Sequence, residues 1–426
     1  MMRHLFLFIL FTCLLGNNMA LMAQAGAEQW QADMALLRQE LPKRHPNLFR
    51  FSPREVFESD LNNLAANLDG KSDLHIALEL QSIVARARDA HTRVELTPLL
   101  QQYSKVIPVG FGWYADGLYV SGTVKRFAPA LGKKVLAING IDTEEALQRI
   151  SRFFACENAE TVRREGPTWL RFSEAVRLAG VSRDDTLALL MQDESGQRYL
   201  VKTFPLDFKA DKASLQPAQF MPKNPDLRWD PMKQIYSLAW LEADRIVYLQ
   251  YNGCFSREMA LAMDDSTSAG QLPSFQPYVD SLVALLERRP DCRLFFDLRF
   301  NNGGNPADGI ALVERLAAMP FVNLPNRIFV ATNRYTSGAA VEIAAAFRAK
   351  TNATIIGEPP GHRPNHIGAP SYLILPNSQL QVFHGTRPVQ ALPDDPDVLQ
   401  PNITIELPFE AFRNGRDPVL DHVRKK

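Results

Sequence analysis

The sequence has no excess of charge of either sign, few cysteines and no apolar run of membrane-spanning length. Its 426 residues include 47 Lys and Arg and 47 Asp and Glu, so the formal net charge is zero. A nucleic-acid binder normally carries a basic surplus, and the sequence has neither that surplus nor a long block of like charge. We therefore predict that nucleic acid is not a partner.

The number and spacing of the cysteines argue against a fold held together by disulfides or by a structural metal ion. Three cysteines, Cys156, Cys254 and Cys292, lie outside the N-terminal segment, and none has a C-x-x-C or Cys/His zinc spacing. An odd number leaves at least one thiol unpaired. We predict no disulfide framework, no metal site and no organic cofactor, and we interpret Cys292, within "CRLFFDL", as a buried core thiol.

The N-terminus has the pattern of a secretory signal peptide. Arg3 and His4 precede an apolar run, residues 5–15, and Ala23-Gln24-Ala25 is a small-x-small cleavage pattern. The run is too short to cross a bilayer. We predict cleavage after about Ala25 and a mature protein that is exported to the periplasm or the medium, without a stable membrane span.

The rest of the chain divides into four parts that differ in composition and in hydrophobic periodicity. Residues 26–100 have helical periodicity, residues 101–205 mix short strands with helices, and residues 206–243 form a linker rich in Pro, Lys and Asp. In residues 244–426, strand-like runs such as "RIVYLQY", "CRLFFDL", "RIFVAT" and "ATIIG" alternate with helical runs. This alternation predicts a largely parallel sheet, and we predict a multidomain α/β fold.

Two loops that follow strands of this sheet carry candidate catalytic groups, because ligands bind at the carboxyl ends of parallel strands. The first is "DLRFNNGGNP", in which Gly303 and Gly304 allow backbone amides to face a ligand and form an oxyanion hole. The alternative is a flexible loop that closes onto a helix.

The second loop is "RYTSGAAVEIAAAF", where a strand gives way to a helix at Thr336, Ser337 and Gly338. A serine at such a turn could act as a nucleophile beside the positive end of the helix dipole. Thr336 or Ser337 could instead simply cap the helix. The G-x-S-x-G pattern of many serine hydrolases is absent.

A nucleophilic serine needs a base, and histidines near the same edge are candidates. His91 lies in "RDAHTRVEL", where a helix ends. His362 and His366 lie in "GEPPGHRPNHIG", a loop that follows a strand. Arg363, between them, cannot act as a base because its guanidinium stays protonated.

Together these stretches resemble the S41 peptidases, the family of tail-specific, C-terminal processing and tricorn-type serine proteases. "HPNLF" and "DAHT" are similar to its N-terminal part, and "DGLYV…LGKKVLAING" to its PDZ-like insert. "FDLRFNNGGN", "TNATIIGEPPGHRPNHIG" and "FEAFRNGRDPVL" are similar to its catalytic-domain loops and C-terminal tail. The resemblance covers nearly the whole mature chain.

The resemblance implies roles for individual residues. Ser337 would be the nucleophile and His91 the base, and the amides of Gly303, Gly304 and Gly338 would form the oxyanion hole. The acid would come from Asp394 or Asp395. His362, Arg363 and His366 would supply a second base or substrate contacts, and His362 and Arg363 lie in the stretch where processing members carry a lysine.

One departure from the family concerns the nucleophile. Aligned without gaps to the family pattern T-F-S-S-A-V, the catalytic serine position falls on Gly338, and Ser337 is one residue early.

We therefore hold two hypotheses. The first is an exported serine endopeptidase that cleaves peptide or unfolded protein substrates through an acyl-enzyme. The second is an inactive S41-like protein that binds peptides. An esterase using Ser337 is a third, weaker hypothesis. The oligomeric state is not predicted.

Overall fold

The computed structural model describes residues 25–103, 105–207, 217–222 and 234–426. The predicted signal peptide lies outside the described residues, apart from Ala25. Within the described ranges, no helix combines the length and apolarity needed to cross a membrane.

The first part of the chain is helical, as the apolar spacing predicts. Trp30, Met34, Leu37 and Leu41 line one face of the first helix and are almost fully buried. A short strand leads from the third helix to the fourth. The elements are α1 (Ala27–Arg44), α2 (Arg54–Ala66), α3 (Asp73–Val84), β1 (Arg93–Val94) and α4 (Thr97–Tyr103).

The middle part is a mixed module built on an antiparallel sheet in the order β10-β4-β5-β7-β8, with β3 and β6 attached. The strands β7 and β8 form a hairpin around residues 194–196. Its elements are β2 (Lys105–Val106), β3 (Val109–Tyr114), β4 (Gly117–Val124), β5 (Lys134–Ile138), β6 (Ile141–Asp142), α5 (Thr143–Ile150), α6 (Ala159–Trp169), α7 (Ser173–Leu178), β7 (Leu187–Gln192), β8 (Arg198–Thr203), β9 (Leu206–Asp207) and β10 (Pro217–Gln219).

The last part contains the predicted parallel sheet. Its order is β11-β12-β13-β14-β15-β20, and all pairs are parallel except the antiparallel pair β11 and β12. Residues 236–241, which the sequence pattern assigned to the linker, form β11. The elements up to the fifth of these strands are β11 (Tyr236–Leu241), β12 (Ile246–Tyr251), α8 (Arg257–Ala262), α9 (Ser266–Ala269), α10 (Gln276–Arg288), β13 (Arg293–Asp297), α11 (Ala307–Ala317), β14 (Ile328–Thr332), α12 (Ala339–Lys350) and β15 (Thr354–Gly357).

The C-terminal stretch returns to the other parts of the molecule. Strand β18 pairs with β17 and also with β1 of the helical part. The elements are β16 (Asn365–Gly368), β17 (Ser371–Ile374), β18 (Gln381–His384), β19 (Arg387–Gln390), β20 (Ile403–Thr404), α13 (Phe409–Arg413) and α14 (Pro418–Arg424). The prediction of a multidomain α/β fold is confirmed.

One hydrophobic core serves the helical part and the mixed module together. Side chains of α1 to α3 and of β3, β4, β5 and β7 pack in a single cluster with Leu373, Leu375, Leu380 and Val382 from the β17–β18 hairpin. A second core lies between α10 to α12 and one face of the parallel sheet. The sequence divisions therefore do not correspond to separate cores in the first two parts.

Candidate active site

The turn between β14 and α12 is held by Thr336. Its buried hydroxyl donates to the Leu298 carbonyl (3.0 Å) and accepts the Asn333 N–H (3.0 Å). Gly338 is the N-cap residue of α12, and no side chain caps the helix. The hydroxyls of Thr336 and Ser337 are therefore not helix caps. Ser337 is half-buried, and its hydroxyl has no hydrogen-bond partner among the described residues.

Gly338 occupies the sharp corner of this turn. Its backbone has φ 53° and ψ −128°, a region that residues with a Cβ rarely adopt. Space is not the reason for glycine, because an added Cβ would meet nothing closer than the Gly303 Cα, at 3.7 Å. Strained strand-to-helix corners of this kind are where serine nucleophiles sit in other hydrolases. The strained position here is residue 338, one after Ser337.

The glycine loop packs directly on this turn. The Asn301 carbonyl accepts the Ser337 N–H (3.0 Å), and the Asn301 side chain accepts the Gly303 N–H (2.8 Å). The Gly303 amide is thus already bonded. Within the described part of the chain, the amides of Gly304 and Gly338 have no hydrogen-bond acceptor. These two amides are the ones available to a ligand.

Three histidines that are far apart in sequence meet in one cluster. The ring centroids of His91 and His362 are 5.4 Å apart, those of His91 and His366 5.7 Å, and those of His362 and His366 4.6 Å. The cluster lies against the first turn of α12, because His366 Nε2 is 3.9 Å from Glu342 Oε1. The fold thus brings all three predicted histidines to the helix that follows Ser337.

His91 is the histidine of this cluster best suited to act as a base. Its side chain is 24% exposed, against 3% for His362 and 3% for His366. Burial lowers the pKa of His362 well below its ordinary value and that of His366 to about 4. Burial also opposes protonation of His91, but Asp89 and Glu157 raise its pKa above the ordinary value.

The carboxylate that faces His91 is Asp89. Asp89 Oδ1 lies 3.5 Å from His91 Nδ1, and Oδ2 lies 3.1 Å from the Nε2 of His45. The Thr92 hydroxyl also donates to Oδ2 (2.5 Å). Burial works against the charged form, but the contacts with His45 and His91 lower the pKa of Asp89 far below its ordinary range. Asp89 is therefore a charged partner that can orient the His91 ring.

Asp394 and Asp395, the acids expected from the family resemblance, lie elsewhere. Both are exposed. Asp395 forms ion pairs with Arg50 and Arg363, and the Asp394 carbonyl accepts the Asn365 amide (2.7 Å). No described contact joins either of them to His91. Arg363 is buried and also pairs with Asp397, so it belongs to this ion-pair group.

A cavity of about 120 Å³ adjoins the turn on the side of the mixed module. It is bounded by Arg299 and Phe300 of the glycine loop, by residues 332–335 before Ser337 and by residues 112–114 of β3. A buried ion pair between Arg334 and Glu358 (2.9 Å) forms one wall. An engineered cavity of about 150 Å³ can bind benzene. The slightly smaller cavity beside the turn therefore has room for part of one amino-acid side chain.

Two groups at the site were absent from the sequence reasoning. Asp89 had a signal, because it belongs to the quoted "DAHT" stretch. Glu157 had none, since nothing in "CENAE" marks its carboxylate, yet Glu157 is fully buried and lies 3.5 Å from His362. Among the described residues, no group of three or more His, Cys, Asp or Glu side chains is arranged to hold a metal ion.

The chain has the α/β fold of known solved structures. The structure of mature CPAF complexed with lactacystin matches with a TM-score of 0.62 at 12% identity, over 94% of this chain and 98% of CPAF. Mature CPAF alone gives a TM-score of 0.57 at 12% identity, over 94% and 97% of the two chains. The photosystem II D1 C-terminal processing protease is also similar, with a TM-score of 0.40 at 12% identity, over 93% and 96%.

The structural neighbours are S41-family peptidases, so the resemblance seen in the sequence is confirmed at the level of the fold. At 12% identity the likeness establishes the fold, and the chemistry has to be argued from the residues. No protein-family model matches the chain, and no curated protein sequence matches it.

Proposed function

We propose that this protein is a serine-type endopeptidase of the S41 class that acts on peptides or unfolded proteins. The observations that support the proposal are the contact between the histidine cluster and the first turn of α12, the helix that begins just after Ser337, and the pairing of His91 with Asp89. A nucleophile, a base and an orienting acid are the three groups that acyl transfer requires.

In the proposed reaction, the Ser337 hydroxyl attacks the scissile carbonyl while His91 accepts its proton. Asp89 holds the imidazole and stabilises the imidazolium that forms. The amides of Gly304 and Gly338 donate to the oxyanion of the tetrahedral intermediate. His91 then gives the proton to the leaving amine, and water, activated by the same histidine, hydrolyses the acyl-enzyme.

A second candidate function is peptide binding without hydrolysis, and the geometry of Gly338 favours it. If the nucleophile position is the strained corner, the side chain that would attack is missing there. The base, its acid and the two free amides would then bind a peptide carbonyl without cleaving it.

One experiment separates the two candidates. Wild type, Ser337→Ala and Gly338→Ser are assayed for cleavage of a mixed peptide library and for labelling by a fluorophosphonate, with thermal melts as folding controls. Ser281→Ala, an exposed helical serine, is the matched control. If Ser337 is the nucleophile, its alanine variant stays folded and loses about 10⁶ in turnover, and only Ser337 is labelled.

The other outcomes are equally distinct. An inert, unlabelled wild type together with labelling of Gly338→Ser would support the binding function. Cleavage that persists at the wild-type rate in Ser337→Ala would contradict both candidates.

We also propose that the mature protein is exported. The support is the charged, apolar and small-x-small pattern of residues 1–25. Mass spectrometry of the protein from its native host is expected to find a mature start near Gly26. A mature protein that retains Met1 would rule out a cleaved signal peptide.

A further inference from the structure

The buried carboxylate of Glu157 accepts hydrogen bonds from both loops that carry the histidine cluster. It is fully buried and directly precedes α6 of the mixed module. Its Oε1 accepts the N–H of Ala90 (2.7 Å), the residue before His91. Its Oε2 accepts the N–H of Arg363 (2.6 Å), the residue after His362. One side chain therefore fixes the backbone beside two of the three histidines.

Residues next to Glu157 add further hydrogen bonds between the start of α6 and the same two loops. Arg88 donates to the carbonyls of Cys156 (2.8 Å) and Glu157 (3.1 Å). Asn158 donates to the Pro360 carbonyl (3.2 Å), and Thr161 to the Gly361 carbonyl (2.8 Å). The start of α6 is thus bonded on one side to the loop before His91 and on the other to the loop before His362.

The charged groups that face Glu157 come from each of these segments. Asp89 and His91 lie on the first loop, His362 and Arg363 on the second, and the cations of Arg50 and Arg88 are also close. Burial raises the pKa of Glu157 to about 7, and the carboxylate in turn raises the pKa of His91. The charge on Glu157 therefore favours the protonated form of His91.

We propose that Glu157 is a positioning residue for His91, through which the mixed module sets the placement and protonation of the catalytic base. The catalytic part of this inference rests on the proposed function. The positional part does not, because it concerns the geometry and titration of His91 in any case. A misplacement of about 1 Å, even from a change outside the reacting groups, can cost on the order of 100-fold in rate.

The test is Glu157→Gln in the full chain, with the titration of His91 followed by NMR of its ring Cε1–H. Glutamine keeps one acceptor oxygen but turns an NH₂ group toward a backbone N–H, so one of the two bonds is lost and the charge is removed. We expect a lower pKa of His91, a shift of the pH–rate profile to lower pH and a fall in kcat of about tenfold or more. KM is expected to change little, because Glu157 is buried away from solvent.

Asp33→Asn is the matched control. Asp33 is also fully buried and accepts N–H bonds from Asn377 (3.0 Å) and Ser378 (2.7 Å), but it has no described contact with the three histidines. We expect both variants to melt earlier and only Glu157→Gln to shift the His91 titration. An unchanged His91 titration in folded Glu157→Gln, or an equal shift in Asp33→Asn, would overturn the proposal.

If Glu157→Gln fails to fold, a measurement on the wild-type protein tests the proposal instead. Because the charge on Glu157 raises the pKa of His91, the His91 titration curve is expected to be broadened in the range in which Glu157 ionises, with a midpoint above about 6.5. An unbroadened His91 transition with its midpoint at or below about 6.5 would overturn the proposal. The NMR readout needs no turnover, so an inert wild type would refute the peptidase function without deciding the role of Glu157.

Discussion

At the residue scale, the three histidines have similar surroundings but different exposures, and this difference favours His91 as the proposed base. His362 and His366 are buried and remain neutral near neutral pH, because burial lowers their pKa values. His91 is partly exposed and paired with Asp89. It is therefore the ring that can reach a substrate and also bind a proton.

The first prediction concerns the pH dependence of activity. A base must be unprotonated, and the pKa of His91 is raised above its ordinary value of about 6.5. Activity should therefore rise with pH, with a midpoint above about 6.5. Asp89→Asn should move that midpoint down and lower kcat, since the charge that holds the imidazolium is gone.

The matched pair for this prediction is His91→Ala and His366→Ala, assayed on the same peptides. The loss is expected to be far larger at His91. A larger loss at His366 or His362 would place the base on the loop of residues 361–366.

The second prediction concerns Glu157 and stability. Its pKa is about 7 in the folded protein against an ordinary 4.5, because burial disfavours the charge. The folded state therefore holds the proton more tightly than the unfolded state. The stability that the protonated group contributes is present below about pH 4.5 and is lost as pH rises toward 7.

Chemical denaturation of wild type and Glu157→Gln across this range checks the sign. The free energy of unfolding of the variant, relative to wild type, should rise between pH 4.5 and 7. A difference that is flat with pH would mean that Glu157 is ionised throughout.

At the element scale, the glycine loop and the turn before α12 each depend on a glycine. A Cβ on Gly304 would lie 2.3 Å from the Cys254 carbonyl oxygen, far inside contact distance. A Cβ on Gly338 would make only an ordinary contact with the Gly303 Cα, at 3.7 Å, so its main cost is the strain of a positive φ. The two glycines are therefore required for different reasons.

The third prediction uses this contrast. Gly338→Ala should cost about 1–3 kcal/mol of stability, the usual penalty for a residue with a Cβ in a sparsely populated backbone region. Gly304→Ala should cost clearly more, because backbone atoms have to move. Thermal melts of the two variants measure the difference. Equal losses would contradict the close approach of the Gly304 loop to Cys254.

At the scale of the whole molecule, the shared core makes the first two parts depend on the last. Strand β18 pairs with β1, and the hairpin that contains it fills the core of the helical part with four apolar side chains. Removing the C-terminal part would expose this apolar surface to water. Burial of each large apolar side chain is worth about 1.5–3 kcal/mol.

The fourth prediction follows from this dependence. A fragment of residues 26–205, expressed alone, should bind a hydrophobic dye and unfold without a sharp transition, whereas the full mature chain unfolds cooperatively. Circular dichroism melts with dye fluorescence compare the two. A fragment that melts as sharply as the full chain would show that the shared core is not needed for folding.

Much of the fold could be predicted from sequence because its signals are local. Helical spacing marks α1 to α3, the alternation of strands and helices marks the parallel sheet, and the quoted loops mark the S41 resemblance. The local signal failed at β11, because residues 236–241 lie in a segment whose composition is that of a linker. Pairing with β12, a long-range interaction, makes them a strand.

The sequence by itself determined most of the elements, the loops proposed to carry the chemistry and the histidines that belong to them. Only the tertiary structure decided that Asp89, rather than Asp394 or Asp395, faces His91, and that Glu157 joins two loops separated by more than 200 residues. The reason is physical. Periodicity and turn chemistry act between neighbours in the chain, whereas a buried carboxylate is bonded to whichever amides the folded chain brings to it.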